Sequence, residues 1–227
     1  MRVKVIVFDL DDTLYPEIEF VQSGFAAVSE YLHTLHPKHS KESLYTLMLQ
    51  ELEQNGRGKV FDVALESLGC KTKQMVQKAL SIYRLHTPTL TLPKESLEIL
   101  EYYASQNIPL YIITDGNKIV QNNKIKALDV ERFLKKSFIT HRYGKIHAKP
   151  SPYCFVKIAE KEGVKYEDIV YIADNSNKDF VGIKKLGFRT IRIKQGMFQD
   201  TQKPQEFHAE CEIERLLELK KILKGKD

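Results

Sequence analysis

Three short apolar segments, each followed directly by an acidic residue, limit most strongly what this chain can fold into. They are "VIVF" before Asp9, "LYIIT" before Asp115 and "IVYIA" before Asp174. Because consecutive positions are apolar, both faces of each segment must be buried, which is typical of parallel strands covered by helices. Ligands of such sheets bind at the carboxyl ends of the strands, so we expect a site there.

Helices alternate with strands after about residue 90. The pattern predicts helices near 94–106, 117–128, 151–162 and 177–186, and strands at 1–8, 108–114, 138–140, 168–174 and 188–194. This order predicts an α/β protein with a Rossmann-like, three-layer α/β/α core around a parallel sheet.

Residues 16–89 differ from the rest because every periodic segment in them has helical spacing. We therefore expect an all-helical domain, residues 16–89, inserted after the first strand. Residues 1–15 and 90–227 would then form the catalytic core.

Composition narrows the functional class. Lysine and arginine number 35 against 30 acidic residues, and this mild excess of +5 is interspersed, so a nucleic-acid polymer is not an expected partner. No apolar window approaches about 18 residues and the N-terminus lacks signal-peptide character, so we predict a cytoplasmic protein without a membrane partner. The C-terminal "LKKILKGKD" is interpreted as a solvated helix end, and the three distant cysteines suggest no metal site or disulfide framework.

Acidic residues cluster at the predicted strand ends. Asp9 and Asp11 stand two apart, Asp174 ends another strand, and Asp179 follows five residues later. Like charges this close repel unless a cation lies between them, and oxygen ligands of this kind suit Mg²⁺. Any one of them could instead be a helix cap or turn residue.

Four segments, in order, resemble the motifs of the haloacid dehalogenase superfamily. They are "FDLDDTLYPE", "YIITDGN", "HAKPSP" and "YIADNSNKDF", spread over about 170 residues. The first is also similar to the start of pyrimidine 5′-nucleotidase-like and sialic-acid-9-phosphatase-like members. The resemblance implies a phosphatase-type hydrolase with a helical cap inserted after the first motif.

The resemblance also implies roles for the acidic residues. Asp9 would be the nucleophile that forms an aspartyl-phosphate, and Asp11 the general acid and then general base. Mg²⁺ would be bound by Asp9, the main-chain carbonyl of Asp11 and Asp174. Asp179 and Asn175 would assist through water or by orienting a ligand.

The phosphate would be held, by the same resemblance, by Thr114, by the backbone of the Asp115–Gly116 turn and by Lys149. Asp11 favours phosphatases and phosphomutases, since superfamily members that displace halide lack this second aspartate. We therefore expect hydrolysis of a small phosphomonoester, either a sugar phosphate or a nucleoside monophosphate. A phosphomutase and a non-catalytic binding module remain alternatives, and the sequence decides neither the substrate nor the oligomeric state.

Basic residues of the insert are candidate substrate contacts. Arg57 and Lys59 lie in the glycine-bearing "NGRGKVFD", and His86 lies near the return to the core. A solvated basic turn for the first two, and a structural role for His86, are the alternatives.

Overall fold

A six-stranded parallel sheet forms the centre of the computed structural model, which describes residues 3–223. Its strands lie in the order β3-β2-β1-β4-β5-β6. Every residue of β1, β2 and β4 is buried, as the apolar runs predicted. The strands are β1 (Val5–Phe8), β2 (Leu110–Thr114), β3 (Lys136–Ile139), β4 (Ile169–Ala173), β5 (Arg189–Ile193) and β6 (Cys211–Ile213).

Helices make up most of the remaining regular structure. None of those within residues 3–223 combines the length and the hydrophobicity that a membrane-crossing segment needs. The α-helices are α1 (Glu17–Leu35), α2 (Lys41–Asn55), α3 (Val60–Ser67), α4 (Lys73–Leu85), α5 (Lys94–Ser105), α6 (Lys118–Ala127), α7 (Tyr153–Glu162), α8 (Val181–Lys184) and α9 (Leu219–Ile222).

The chain divides into two compact units, one made of the residues up to Glu17 and from Thr91 onward, the other of Ile18–Leu90. All regular secondary structure of the second unit is α-helix, and the unit has its own core. Leu32, Met48 and Leu65 are fully buried in that core, and the rings of Phe25 and Phe61 meet edge to face at 5.9 Å.

Both faces of the sheet are covered by helices. Alternate strand residues point to opposite faces, so Val5 and Val7 share one face with Tyr171. These residues pack in one cluster with Phe155 of α7 and Ile183 of α8. The intervening residues are equally buried, and α5 and α6 contact β2 and β3. The predicted α/β class with helices on both faces of a parallel sheet is confirmed.

One predicted helix is longer than the observed one. The helix expected near 177–186 is only α8, because residues before it form turns around Asp179, whose carboxylate accepts the Asn175 N–H at 3.1 Å. The structure also contains an edge strand that the sequence did not predict, Cys211–Ile213, which pairs in parallel with β5. Of the basic C-terminal segment, α9 is described, and residues 224–227 lie outside the described part.

The loop that carries Lys149 approaches α8 very closely. A Cβ atom added to Gly182 would lie 1.7 Å from the Pro150 carbonyl oxygen, a distance that no side chain can occupy. Only glycine lets the two backbones meet here. The position of Lys149 therefore depends on a glycine in a neighbouring helix.

We predict that Gly182→Ala lowers the free energy of unfolding by about 1–3 kcal/mol, although alanine is the better helix former, because the Lys149 loop must shift. Gly58→Ala is the control, since a Cβ there meets no atom within 4 Å. It should change stability by no more than about 0.5 kcal/mol. Chemical denaturation of both variants measures the difference, and equal stability would contradict this account of the loop.

Candidate active site

A polar cavity of about 150 Å³ lies at the carboxyl ends of β1, β2 and β4. It is where a parallel α/β sheet binds its ligands. The structure brings most of the core residues predicted from sequence to this one place. The lining residues are Asp9, Asp11, Asp12, Glu17, Thr114, Asp115, Asp174, Asn175, Lys178 and Phe198.

Lys149 lies buried between two carboxylates. Its Nζ is 2.9 Å from Asp9 Oδ1 and 2.7 Å from Asp179 Oδ1. It also donates to the Tyr171 hydroxyl at 2.8 Å, and that hydroxyl donates to Asp179 at 3.1 Å. Burial alone would lower the pKa of Lys149, but Asp179 and Asp9 outweigh it and raise that pKa well above its usual value. The ammonium is therefore a fixed positive charge beside Asp9.

Three buried carboxylates surround one point. Oxygens of Asp9, Asp174 and Asp179 lie within 4.8 Å of one another. Burial, followed by the negative charges of Asp9 and Asp179, raises the pKa of Asp174 to about 9. Burial also raises the pKa of Asp9 to about 6, against the opposing effect of Lys149. One lysine does not compensate this charge, and a triad of hard oxygen ligands of this kind could hold a metal ion.

Asp11 has a different set of partners from Asp9. Its Oδ1 accepts from Lys124 Nζ and from the Tyr15 hydroxyl, both at 2.7 Å, and its Oδ2 accepts from Gln121 Nε2 at 2.8 Å. Burial would raise the pKa of Asp11, but Lys124 and these hydrogen bonds outweigh it and lower that pKa. The two neighbouring aspartates are thus each compensated by a separate lysine.

The turn after β2 carries the predicted phosphate-binding residues. Thr114 is buried, and its hydroxyl lies 2.5 Å from Gln121 Nε2. The Asp115 carboxylate accepts from Thr140 at 2.7 Å and from the Lys149 N–H at 3.1 Å. Its side chain therefore ties the Lys149 loop to this turn, and Gly116 follows at a φ of +133° that favours glycine.

Asn175 directly follows Asp174 and is buried. Its amide oxygen accepts from the backbone N–H of Asn177 at 3.0 Å and from the side chain of Asn177 at 2.8 Å. These bonds are those of a turn-stabilising asparagine. They account for the residue without a metal ion.

The three candidate substrate contacts in the helical unit differ in exposure and in hydrogen bonding. Arg57 and Lys59 are exposed in the loop between α2 and α3. His86 is half-buried, with Nδ1 2.7 Å from the Tyr83 carbonyl oxygen and Nε2 3.0 Å from the Ser23 hydroxyl. Burial lowers its pKa. These hydrogen bonds favour the structural alternative for His86.

Several polar residues of the site were not predicted from the sequence. Lys124 and Gln121 reach Asp11 from α6, Lys178 lies 3.1 Å from Asp115, and Tyr171 binds Lys149. The sequence does contain a signal for Lys124 and Gln121, because positions 121 and 124 share one face of the helix that follows the second motif. A buried tyrosine in an apolar strand offers no such signal.

Comparison with known proteins shows similarity along the whole chain. A glyceraldehyde 3-phosphate phosphatase of Methanopyrus kandleri is 27% identical over 230 residues, covering 98% of this chain and 97% of that protein. A HAD hydrolase of Bacillus subtilis, YfnB, whose crystal structure contains magnesium, has a TM-score of 0.67 at 20% identity, with 98% of this chain and 99% of that chain covered.

A 2-haloacid dehalogenase of Pseudomonas syringae has a TM-score of 0.65 at 22% identity, with 97% of each chain covered. The fold is thus shared by enzymes that act on different bonds. The sequence model of haloacid dehalogenase-like hydrolases matches residues 3–187. The chain therefore belongs to the haloacid dehalogenase-like hydrolases, the family indicated by its four motifs, and is an enzyme of the hydrolase class.

Proposed function

We propose that this hydrolase is a Mg²⁺-dependent phosphatase that cleaves a small phosphomonoester through an aspartyl-phosphate. One observation carries the proposal. The buried Asp9 carboxylate is paired with Lys149 and forms a triad with Asp174 and Asp179, in a polar cavity that it shares with Asp11. A carboxylate nucleophile, a fixed cation and a second carboxylate are the groups that two-step phosphoryl transfer needs.

In the first step, a carboxylate oxygen of Asp9 attacks phosphorus. A bond forms between that oxygen and phosphorus, and the bond from phosphorus to the substrate oxygen breaks. Asp11 gives its proton to the leaving oxygen, which departs as an alcohol. An incoming phosphate dianion works against the effect of Lys124 and favours the protonated form of Asp11, since like charges disfavour ionisation.

In the second step, Asp11 acts as the base. Its carboxylate takes a proton from a water molecule, which attacks the phosphorus of the aspartyl-phosphate. Inorganic phosphate leaves and Asp9 is restored as a carboxylate. The lowered pKa of Asp11 suits this step, because the ionised form must accept the proton.

The transferred phosphoryl group would be held by cationic and neutral donors. Lys149 supplies the buried ammonium, Thr114 a hydroxyl, and the Asp115–Gly116 turn backbone N–H groups. Each would supply charge compensation or a hydrogen bond to the phosphoryl oxygens. The Asp115 carboxylate accepts a hydrogen bond from the Lys149 N–H and so holds the Lys149 loop in place.

The residues that would hold Mg²⁺ are Asp9, Asp174 and the main-chain carbonyl of Asp11, with Asp179 assisting. The Asn175 amide oxygen is already engaged by Asn177. The fit rests on the triad of buried carboxylates, which outnumber the one lysine beside them and raise the pKa of Asp174. When bound, the ion would compensate the charge of Asp9 and of the phosphate, which otherwise repel each other.

A small phosphorylated metabolite is the proposed substrate, and a triose phosphate is its first candidate. The support is the Methanopyrus kandleri relative, a glyceraldehyde 3-phosphate phosphatase by name. Nucleoside monophosphates, the other predicted substrate class, are assayed beside it. We propose the cytoplasm as the location of the enzyme.

We propose residues 16–89 as the cap domain that selects the leaving group, in keeping with the family resemblance. Arg57 and Lys59, which are exposed, are its candidate contacts to a second anionic group, ahead of His86.

Phosphate release by wild type and by Asp9→Asn tests the proposal. The assay uses glyceraldehyde 3-phosphate, other sugar phosphates and nucleoside monophosphates, each with Mg²⁺ and with EDTA. We expect release by wild type with Mg²⁺ only, and a loss of about 10³-fold or more in Asp9→Asn, because the nucleophile is gone.

Asp129→Asn is the matched control, since Asp129 is exposed and its left-handed backbone (φ 50°) also suits asparagine. It should keep full activity. Release that survives EDTA or Asp9→Asn would contradict the proposal, and isomerisation that needs a bisphosphate activator would favour the phosphomutase.

Metal-free protein should become less stable as pH rises from about 5 to 9. The folded-state pKa values of Asp9 and Asp174 lie above the usual 3.8, at about 6 and about 9, so the folded protein binds the extra protons. Stability from this source is complete at low pH and is lost as pH rises through that window.

Melting temperature against pH, in EDTA and in millimolar Mg²⁺, measures this effect. Mg²⁺ should flatten the decline, because bound cation replaces the protons and favours the folded state. In EDTA, the melting temperature of Asp174→Asn should decline less with rising pH than that of wild type. Because both proteins have the same histidines, this difference isolates the contribution of Asp174. Parallel curves for the two proteins would exclude Asp174 as the source.

A further inference from the structure

We propose that Lys124 is a positioning residue of the reaction, holding the carboxylate of Asp11 where it can exchange protons with the leaving group and with water. The inference rests on the proposed function, in which Asp11 is the acid and base. It adds a residue outside the four motifs, contributed by the middle of α6.

Lys124 is a buried charge placed between two carboxylates. Its side chain is 3% exposed, and its Nζ lies 2.7 Å from Asp11 Oδ1 and 3.3 Å from Glu17 Oε1. A buried ammonium is costly to desolvate and is tolerated when such partners surround it. Removing its charge would leave Asp11 and Glu17 to repel each other without compensation.

Both oxygens of Asp11 are engaged by donors. Lys124 and the Tyr15 hydroxyl reach Oδ1, and Gln121 reaches Oδ2. Three donors from two directions fix the plane of the carboxylate as well as its position. Proton transfer requires the carboxylate oxygen within about 2.6–3.2 Å of the reacting oxygen, so this orientation matters directly.

The same helix face links Asp11 to the phosphate-binding hydroxyl. Gln121 and Lys124 are three residues apart on α6 and therefore project to one side. Gln121 Nε2 lies between Asp11 Oδ2, at 2.8 Å, and Thr114 Oγ1, at 2.5 Å. This face of α6 thus sets the acid–base group and the phosphate ligand at a fixed separation.

A purely structural ion pair would also explain a buried lysine, so the test must separate the two roles. Two substrates with different leaving groups separate the two roles. 4-Nitrophenolate departs without a proton, whereas a sugar or alkyl alkoxide needs one from Asp11. The ratio kcat/KM reports events up to the first phosphoryl transfer, where that proton is delivered.

We expect Lys124→Met to lower kcat/KM for glyceraldehyde 3-phosphate, whose leaving group is an alcohol, by about 10- to 100-fold, in line with the loss of oriented proton transfer. For 4-nitrophenyl phosphate the change should stay within about threefold. Lys124→Arg should recover much of the loss, since it restores the charge. Lys126→Met, at an exposed position of the same helix, is the control and should match wild type for both substrates.

An equal loss for both substrates, or no loss for either, would overturn the inference, and the first result would assign Lys124 a structural role alone. If Lys124→Met does not fold by thermal melting, Lys124→Gln replaces it, with the same substrate-selective loss expected. Failure of the proposed function would be distinct, because wild type itself would then release no phosphate from either substrate.

Discussion

The pairing of Asp9 and Asp11 with buried lysines is the interaction on which the rest of this site depends. Asp9 and Asp11 lie two positions apart at the end of β1, yet each contacts its own ammonium, Lys149 at 2.9 Å and Lys124 at 2.7 Å. Asp9 is buried and the Asp11 side chain is 22% exposed, so without these partners desolvation would favour the protonated forms of both. The lysines compensate part of the negative charge. The negative charge that remains uncompensated at Asp174 favours the binding of a cation there.

The fold supplies these lysines from separate elements. A parallel sheet brings the ends of β1, β2 and β4 together, which sets where the acidic residues meet. Lys124 comes from α6, directly after β2, whereas Lys149 comes from a loop held by the Asp115 carboxylate and by close contact with Gly182. The chemistry of one strand end therefore depends on backbone packing in elements far apart in sequence.

Much of this arrangement could be predicted from local sequence. Apolar runs ending in aspartate located β1, β2 and β4, and the four motifs identified the family that the comparisons confirm. Lys124 was not predicted because its partner lies 113 residues away, and the helix face that it shares with Gln121 does not indicate which residue it contacts. The edge strand Cys211–Ile213 escaped because three residues carry too little periodicity, and its pairing with β5 decides its conformation. The roles of the site residues remain predictions.

Trapping of the covalent intermediate is the measurement that tests the central claim most directly. Wild type would be mixed with substrate and Mg²⁺, quenched, reduced with borohydride and digested for peptide mass spectrometry. Reduction converts an acyl-phosphate to an alcohol, so the account predicts homoserine at Asp9 and at no other aspartate. Substrate turnover with an unmodified Asp9, or with the label at another residue, would contradict it.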